Sequence, residues 1–423
     1  MKFSELNLPE SVLKGIEQVG FVELTPVQEE TIPIALSGKD VAAQAQTGTG
    51  KTAAFLLSLF TRLLTSGKQT SNNPRALVIA PTRELVVQIC EDAKGLGAFC
   101  DLKVQAIFGG MDYDKQRQAL KDGVDIIVAT PGRLIDYARQ RVFSFDRIEA
   151  LVIDEADRMF DMGFIKDLRY ILRKLPPFEK RQTMLFSATM SPRVSELAYE
   201  FMDLAEKVEI LPEQVTVERI EQVLYHASRR EKFPLLLGLL KKEPGAERVL
   251  VFVNTKREAE YLADRLKAND LRAAVISGDI AQNKRMRILK DFKDGKLTFL
   301  VATDVASRGI HIDGVTHVIN YDLPQDPEDY VHRIGRTARA GAVGKAISFA
   351  DEDLVFHLPD IEEYIGRKIP SQFPGDDDFF MDYKRSAPRK KVPAHPKPAP
   401  GAKTRKPPRR RQSSRPKGDA PKS

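Results

Sequence analysis

Cysteine is scarce. The chain has two, Cys90 and Cys100, with no Cys-x-x-Cys pair and no Cys/His cluster. That argues against a disulfide framework or a structural zinc site and fits a reducing compartment. Long apolar runs are missing as well. No stretch reaches the roughly 18 apolar residues of a membrane span, and Met1-Lys2-Phe3-Ser4-Glu5 opens without an apolar leader core. The expectation is a soluble, cytoplasmic protein with no membrane partner. Acid is lacking at the C-terminus: residues 384–423 hold 15 Lys/Arg and one acid, Asp419.

Against those absences, the bulk of the 423 residues is ordinary globular material, 42% apolar and 30% charged, enough for two or three domains with large cores. The net charge of +7 is unevenly placed: the final 40 residues carry +14 and the first 383 carry −7. An acidic-leaning body with a basic tail suggests a polyanionic partner such as nucleic acid. The tail is rich in Pro, Lys and Arg and cannot bury enough apolar surface to fold. It is expected to be disordered and to bind polyanions in a salt-dependent way.

Apolar, β-branched runs predict strands at 40–44, 75–80, 104–108, 125–129, 151–153 and 183–186. A second series falls at 249–253, 273–276, 298–302 and 315–321. Helical stretches separate them, which argues for parallel sheets with helices on both faces. In such sheets ligands bind at the carboxyl ends of the strands. Residues 204–220 show no apolar period and read as a linker.

The loops at those strand ends carry the chemistry. Ala45-Gln46-Thr47-Gly48-Thr49-Gly50-Lys51-Thr52 lies between a strand and an apolar helix, the context of a phosphate-binding loop. Its backbone N–H groups would wrap phosphates, Lys51 would reach the β- and γ-phosphates, and the Thr52 hydroxyl would ligate Mg²⁺. Leu151-Val152-Ile153 runs into Asp154-Glu155-Ala156-Asp157, three carboxylates within four residues. One such carboxylate can hold Mg²⁺ and a neighbour can position water. Arg83 and Arg133 stand at helix starts, where the helix dipole does not favour a cation, and a phosphate ligand would explain both. Arg336 and Arg339 are three apart and share a helical face, suited to a polyphosphate. Taken singly, these features have plainer readings: a Gly-rich turn, an acidic helix start, two surface arginines, a solvated basic helix.

Together, and in this order, the motifs over residues 1–370 resemble those of the DEAD-box family of ATP-dependent RNA helicases, of superfamily 2. Gly20-Phe21 to Gln28 is similar to the Q motif, Ala45 to Thr52 to motif I, and Asp154 to Asp157 to the Asp-Glu-Ala-Asp signature. Pro81 to Leu85, Gly109-Gly110 and Thr130 to Leu134 resemble the RNA-facing motifs Ia, GG and Ib. Ser187-Ala188-Thr189 is similar to motif III, and Val251 to Lys256, Ala302 to Gly309 and His332 to Arg339 to motifs IV, V and VI.

The resemblance implies two tandem RecA-like domains and a division of labour. The domains expected are a Q-motif region (1–30), an ATP-binding domain (31–207), a linker (208–218), a helicase C-terminal domain (219–370) and a disordered tail (371–423). Gln28 would read adenine beside Phe21, with Phe3 near; residues 45–52 (Ala45, Gln46, Thr47, Gly48, Thr49, Gly50, Lys51, Thr52) would cradle the phosphates. Asp154 would hold Mg²⁺ through water and Glu155 would activate the attacking water. Asp157, Ser187, Thr189 and His332 would couple ATP and RNA sites, and Arg336 and Arg339 would act as arginine fingers. RNA backbone contacts would come from Arg83, Gly110, Thr130, Arg133, Arg257, Gly278 and Thr303. Gly309 would belong to the ATP site, two residues before the position whose side chain would bind the ATP ribose. There the family has Asp, and this chain has His311, whose neutral ring still hydrogen-bonds a hydroxyl. Ala338 stands where the family has Gly. His311 and the Pro/Arg-rich tail resemble the RhlB branch of bacterial helicases, which implies a partner from RNA-degradation machinery; a ribosome-assembly role is the other expectation. Two other activities share the same chassis: a DNA-directed helicase, and an ATP-gated RNA clamp.

Overall fold

The computed structural model describes residues 1–46, 48–67, 72–210, 220–243, 245–307, 314–337 and 344–385. Residues 1–385 form one compact body built on two parallel seven-stranded sheets. The first contains β1 (Val41–Gln44), β2 (Ala76–Ile79), β3 (Val104–Ile107), β4 (Ile126–Ala129), β5 (Ala150–Ile153), β6 (Gln182–Ser187) and β7 (Glu206–Glu209), in the order β3-β4-β2-β5-β6-β1-β7. The second contains β8 (Ile220–His226), β9 (Val249–Phe252), β10 (Ala273–Ile276), β11 (Phe299–Ala302), β12 (His317–Asn320), β13 (Gly344–Ala350) and β14 (Ser371–Gln372), in the order β10-β11-β9-β12-β13-β8-β14. The ten strands read from the sequence fall within two residues of these bounds.

The central strands are apolar throughout because both faces are covered. In β5, Ala150 and Val152 join the core on one face, while Leu151 and Ile153 join the core on the other. β1 divides likewise, Val41 and Ala43 against Ala42. With every register parallel, the loops after β1, β2, β4, β5 and β6 emerge on one edge. That edge carries the phosphate loop, the acidic cluster and Ser187-Ala188-Thr189.

Two segments differ from the sequence reading. The stretch read as a linker begins with strand β7, which pairs with β1 and straddles the expected boundary at 207. Only Val208 of β7 is buried, so an edge strand with one inward residue left no period to read. Residues 211–219 lie outside the described residues. The expected tail also begins too early at 371. β14 pairs with β8, Phe373 stacks on His226 with ring centroids 4.9 Å apart, and Phe379, Phe380 and Tyr383 pack on the second core. The acidic, aromatic composition of this strap resembled a solvated stretch, but its rings have an apolar face to cover. The expectation of disorder for 386–423 falls outside the described residues. No helix among the described residues is long and apolar enough to cross a membrane.

Candidate ATP and RNA site

Thr25 caps the helix Pro26–Leu36, and Gln28 closes the cap: its Oε1 accepts from Thr25 N at 2.9 Å. Its Nε2 donates to Gly50 O at 3.1 Å. The amide is thus pinned to the phosphate loop, with one N–H and one lone pair remaining for the edge of a ligand. Gly50 sits at φ +96°, and a Cβ there would lie 2.5 Å from Gln28 Nε2. Only glycine admits this backbone and this contact.

Lys51, 6% exposed, donates from Nζ to Ala45 O at 2.8 Å. Ala45 N in turn donates to Ser187 O at 2.9 Å, which ties the loop to β6. Thr49 Oγ1 donates to Gln46 O at 2.8 Å. Thr47 lies outside the described residues. Asp154 and Glu155 are buried at the end of β5. Burial pushes the Asp154 carboxyl up, to about 6, against the opposing pull of Lys51. Asp157 is spoken for locally: its Oδ2 accepts from the backbone N–H of Ala188 and of Thr189, both at 3.1 Å. Its own N–H donates to Ser187 Oγ at 3.1 Å.

A cavity of about 650 Å³ opens over these groups. Phe21, Gln28, Gly48, Gly50, Lys51, Thr52, Asp154 and Glu155 line it from the first half, and Arg336 and Lys293 from the second. Phe3 does not line it; Phe3 is buried behind Phe21, with ring centroids 6.2 Å apart. Gly309, His311 and Arg339 lie outside the described residues. His332 is close enough to this wall for Arg158, Arg336 and Asp157 to act on it. Burial, then the two arginines, hold its pKa down at about 4.

The donors fit a magnesium ion. Among the described residues no three His, Cys, Asp or Glu side chains cluster as a metal cage. Mg²⁺ does not need one, since it keeps several waters and takes one or two carboxylates plus substrate phosphates. Asp154, with the Thr52 hydroxyl on the same cavity wall, is such a donor set, and its buried carboxylate is the group a divalent cation would relieve.

The expected RNA contacts gather in two places. Arg83 reaches under the Gly109-Gly110 turn; a Cβ on Gly110, at φ +85°, would lie 2.6 Å from Arg83 Nη1. Arg133 lies over the rings of Tyr113 and Tyr137, 4.9 and 5.7 Å from their centroids. Thr130 is the N-cap residue of the helix Pro131–Arg139. On the second half, Arg257 is in the first turn of the helix Lys256–Ala268, and Gly278 follows β10 near Lys256. Thr303 follows β11 and is largely buried. Arg83 Nη1 meets Gln282 Oε1 at 3.5 Å, so the two groups adjoin.

Several site residues were not legible beforehand. Arg333, 1% exposed, donates to both carboxylate oxygens of Asp304 at 2.6 Å and to Asn254 Oδ1 at 3.0 Å. It clamps the loops after β9 and β11, and its backbone carbonyl accepts from Arg336 N at 3.1 Å. Lys293, on the cavity wall, and Arg158, on Glu155, are two more. Arg158 had a signal: it follows Glu155 by three, a spacing that brings side chains together on a helix.

Residues 25–197 match the DEAD/DEAH box helicase family, and residues 231–341 the helicase conserved C-terminal domain. The ATP-dependent RNA helicase RhlB of Idiomarina loihiensis is 51% identical over 92% of this chain and 91% of its own. That of Xanthomonas axonopodis pv. citri is 54% identical over 87% of this chain, which spans only 65% of that relative's length. Among solved structures, S. cerevisiae Dbp5 bound to RNA and ADP BeF3 aligns with a TM-score of 0.78 at 34% identity, covering 88% of this chain and 95% of its own.

Proposed function

The chain belongs to the DEAD-box family of RNA helicases, in its RhlB branch, and from that premise we propose that it hydrolyses ATP to separate short RNA duplexes by closing its two halves. One observation carries the reading: the cavity is walled by Lys51, Asp154 and Glu155 on one side and by Arg336 on the other. Neither half holds a complete hydrolytic site alone.

Gln28 accepts and donates to the adenine edge, and Lys51 leaves Ala45 O for the β- and γ-phosphates. Mg²⁺, when bound, neutralises phosphate charge; Thr52 and Asp154 would hold it, the carboxylate through water. Glu155 takes a proton from the attacking water. The water oxygen bonds to the γ-phosphorus as the bond to the β–γ bridging oxygen breaks, giving ADP and phosphate. Arg336, with Arg339 as its expected partner, stabilises the charge on the transferring group. Asp157 ties this chemistry to Ser187 and Thr189. Arg83, Gly110, Thr130 and Arg133 hold one stretch of RNA backbone, and Arg257, Gly278 and Thr303 the next. Backbone contacts give little sequence preference, and 2′-hydroxyl contacts exclude DNA.

Glu155→Gln is the test. RNA-stimulated ATP turnover should fall by about 10²- to 10⁴-fold while ATP and RNA still bind; unchanged turnover refutes the reading. Stimulation by DNA equal to that by RNA would point to a DNA-directed enzyme. Duplex separation that proceeds equally with a non-hydrolysable ATP analogue would point to a clamp. We also propose a ribonuclease among the partners and the cytoplasm as the location, readings that rest on the resemblance to the RhlB branch. Recovery of crosslinked RNAs and co-purifying proteins from cells tests both the ribonuclease and the ribosome-assembly expectation.

A further inference from the structure

Glu155 is held by a residue outside the roles assigned above. Arg158 sits one turn later in the short helix Ala156–Asp161, and its Nη1 donates to Glu155 Oε2 at 3.0 Å. Both side chains are only 6% exposed. Glu155 lines the cavity and Arg158 does not, so the guanidinium grips the carboxylate from the side away from the ligand space.

Two features make this more than a buried ion pair. Glu155 has φ +51° and ψ +53°, the left-handed region that non-glycine residues seldom enter. The backbone therefore sends its side chain out in one unusual direction, and Arg158 fixes the torsions that remain. Arg158 also stands at the seam between the halves, where its charge reaches His332 on the second half. It is thus placed to feel closure and to touch the carboxylate that acts on closure.

We propose that Arg158 is a positioning residue for hydrolysis, holding the Glu155 carboxylate in the one orientation from which it can take a proton from the attacking water. The proposal rests on the reading of Glu155 as the water-activating group. A glutamate released from this grip would spread over several rotamers, and misplacement by about 1 Å is enough to cost about 100-fold in rate. Binding of ATP should not change, because Gln28 and Lys51 take no part in the contact.

The test is RNA-stimulated ATPase of the full chain for Arg158→Ala, Arg158→Lys, Glu155→Gln and the double variant, with thermal melts of each. Arg158→Ala should lower kcat about 100-fold with KM for ATP within about twofold, since only transition-state stabilisation is lost. Arg158→Lys, which restores a cation, should recover part of that loss. Adding Arg158→Ala to Glu155→Gln should cost nothing more, because the arginine acts through the glutamate. Unchanged kcat in Arg158→Ala overturns the proposal, as does an equal loss in both backgrounds. A raised KM with unchanged kcat also overturns it. If the alanine variant does not fold, Arg158→Gln is read by the same criteria. Full turnover in Glu155→Gln would instead remove the water-activating reading, and this proposal with it.

Discussion

His332 shows how one residue reports on the closed arrangement. Burial, with Arg158 and Arg336 nearby, holds its pKa near 4, against an ordinary 6.5. The unfolded chain therefore takes up a proton as pH falls through 6.5, while the folded chain refuses it down to about 4. In that window the unfolded state binds more protons, so stability drops as pH drops. The depression is worth on the order of 3 kcal/mol at the acid end. Urea unfolding at pH 7.5 and pH 4.5 should show the wild type losing about that much more than His332→Gln. Parallel losses in the two proteins would mean that His332 is not held neutral. At this scale the sequence was most informative about residues whose role is local. The resemblance puts Gln28 at the adenine, and the structure brings its amide to the phosphate loop through Gly50 O. Arg158, by contrast, reads in the sequence as one more charge after an acidic cluster.

Strands β2, β4 and β5 were legible because each is a short apolar run ending in a turn, buried on both faces. Elements at the sheet edges were not. β7 offers one buried side chain, and β14 is two exposed residues whose pairing with β8 depends on a chain segment almost 150 residues away. The strap that follows β14 is held by contacts no local pattern reveals. Asp378 O comes so close to Gly238 that a Cβ there would lie 1.9 Å from it, and Tyr383 packs edge-on to Phe233 at 5.3 Å. Lys241 Nζ lies 3.1 Å from the centre of the Phe380 ring. The strap is therefore part of the second core. A chain ending at Arg385 should melt like the full protein, whereas one ending at Pro370 should lose about 3 kcal/mol, the worth of one or two buried aromatic side chains. Equal melting temperatures for the two truncations would show the strap to be dispensable.

Across the whole molecule, the proposed mechanism needs the two halves to meet, and one contact that joins them lies between the expected RNA residues. Glu84, beside Arg83, pairs with Arg285 of the helix Gln282–Lys293 at 2.6 Å, and both side chains are 10% exposed. Gln282 Nε2 donates to the same carboxylate at 3.0 Å. Arg285 also donates to Ala306 O at 2.6 Å, in the turn after β11. One buried ion pair thus links the start of a first-half helix, where RNA is expected, to the loop beyond β11 in the second. Two hundred residues separate its partners, which is why sequence pattern could not disclose it. Separating the halves exposes both charges to water, so the pair contributes to closure rather than to the folding of either half. Breaking a buried pair at one end costs about 3–5 kcal/mol. Arg285→Glu, which sets two carboxylates against each other, should therefore raise the RNA concentration giving half-maximal ATPase by about 100-fold or more. Glu84→Arg should do the same. The double exchange restores opposite charges and should recover a measurable part of the loss, giving a coupling energy of about 1–3 kcal/mol in a double-mutant cycle. Each single variant should keep the melting behaviour of the separate halves. If the two losses simply add, the halves close without help from this pair, and the coupling must lie in the cavity wall shared by Lys51, Glu155 and Arg336.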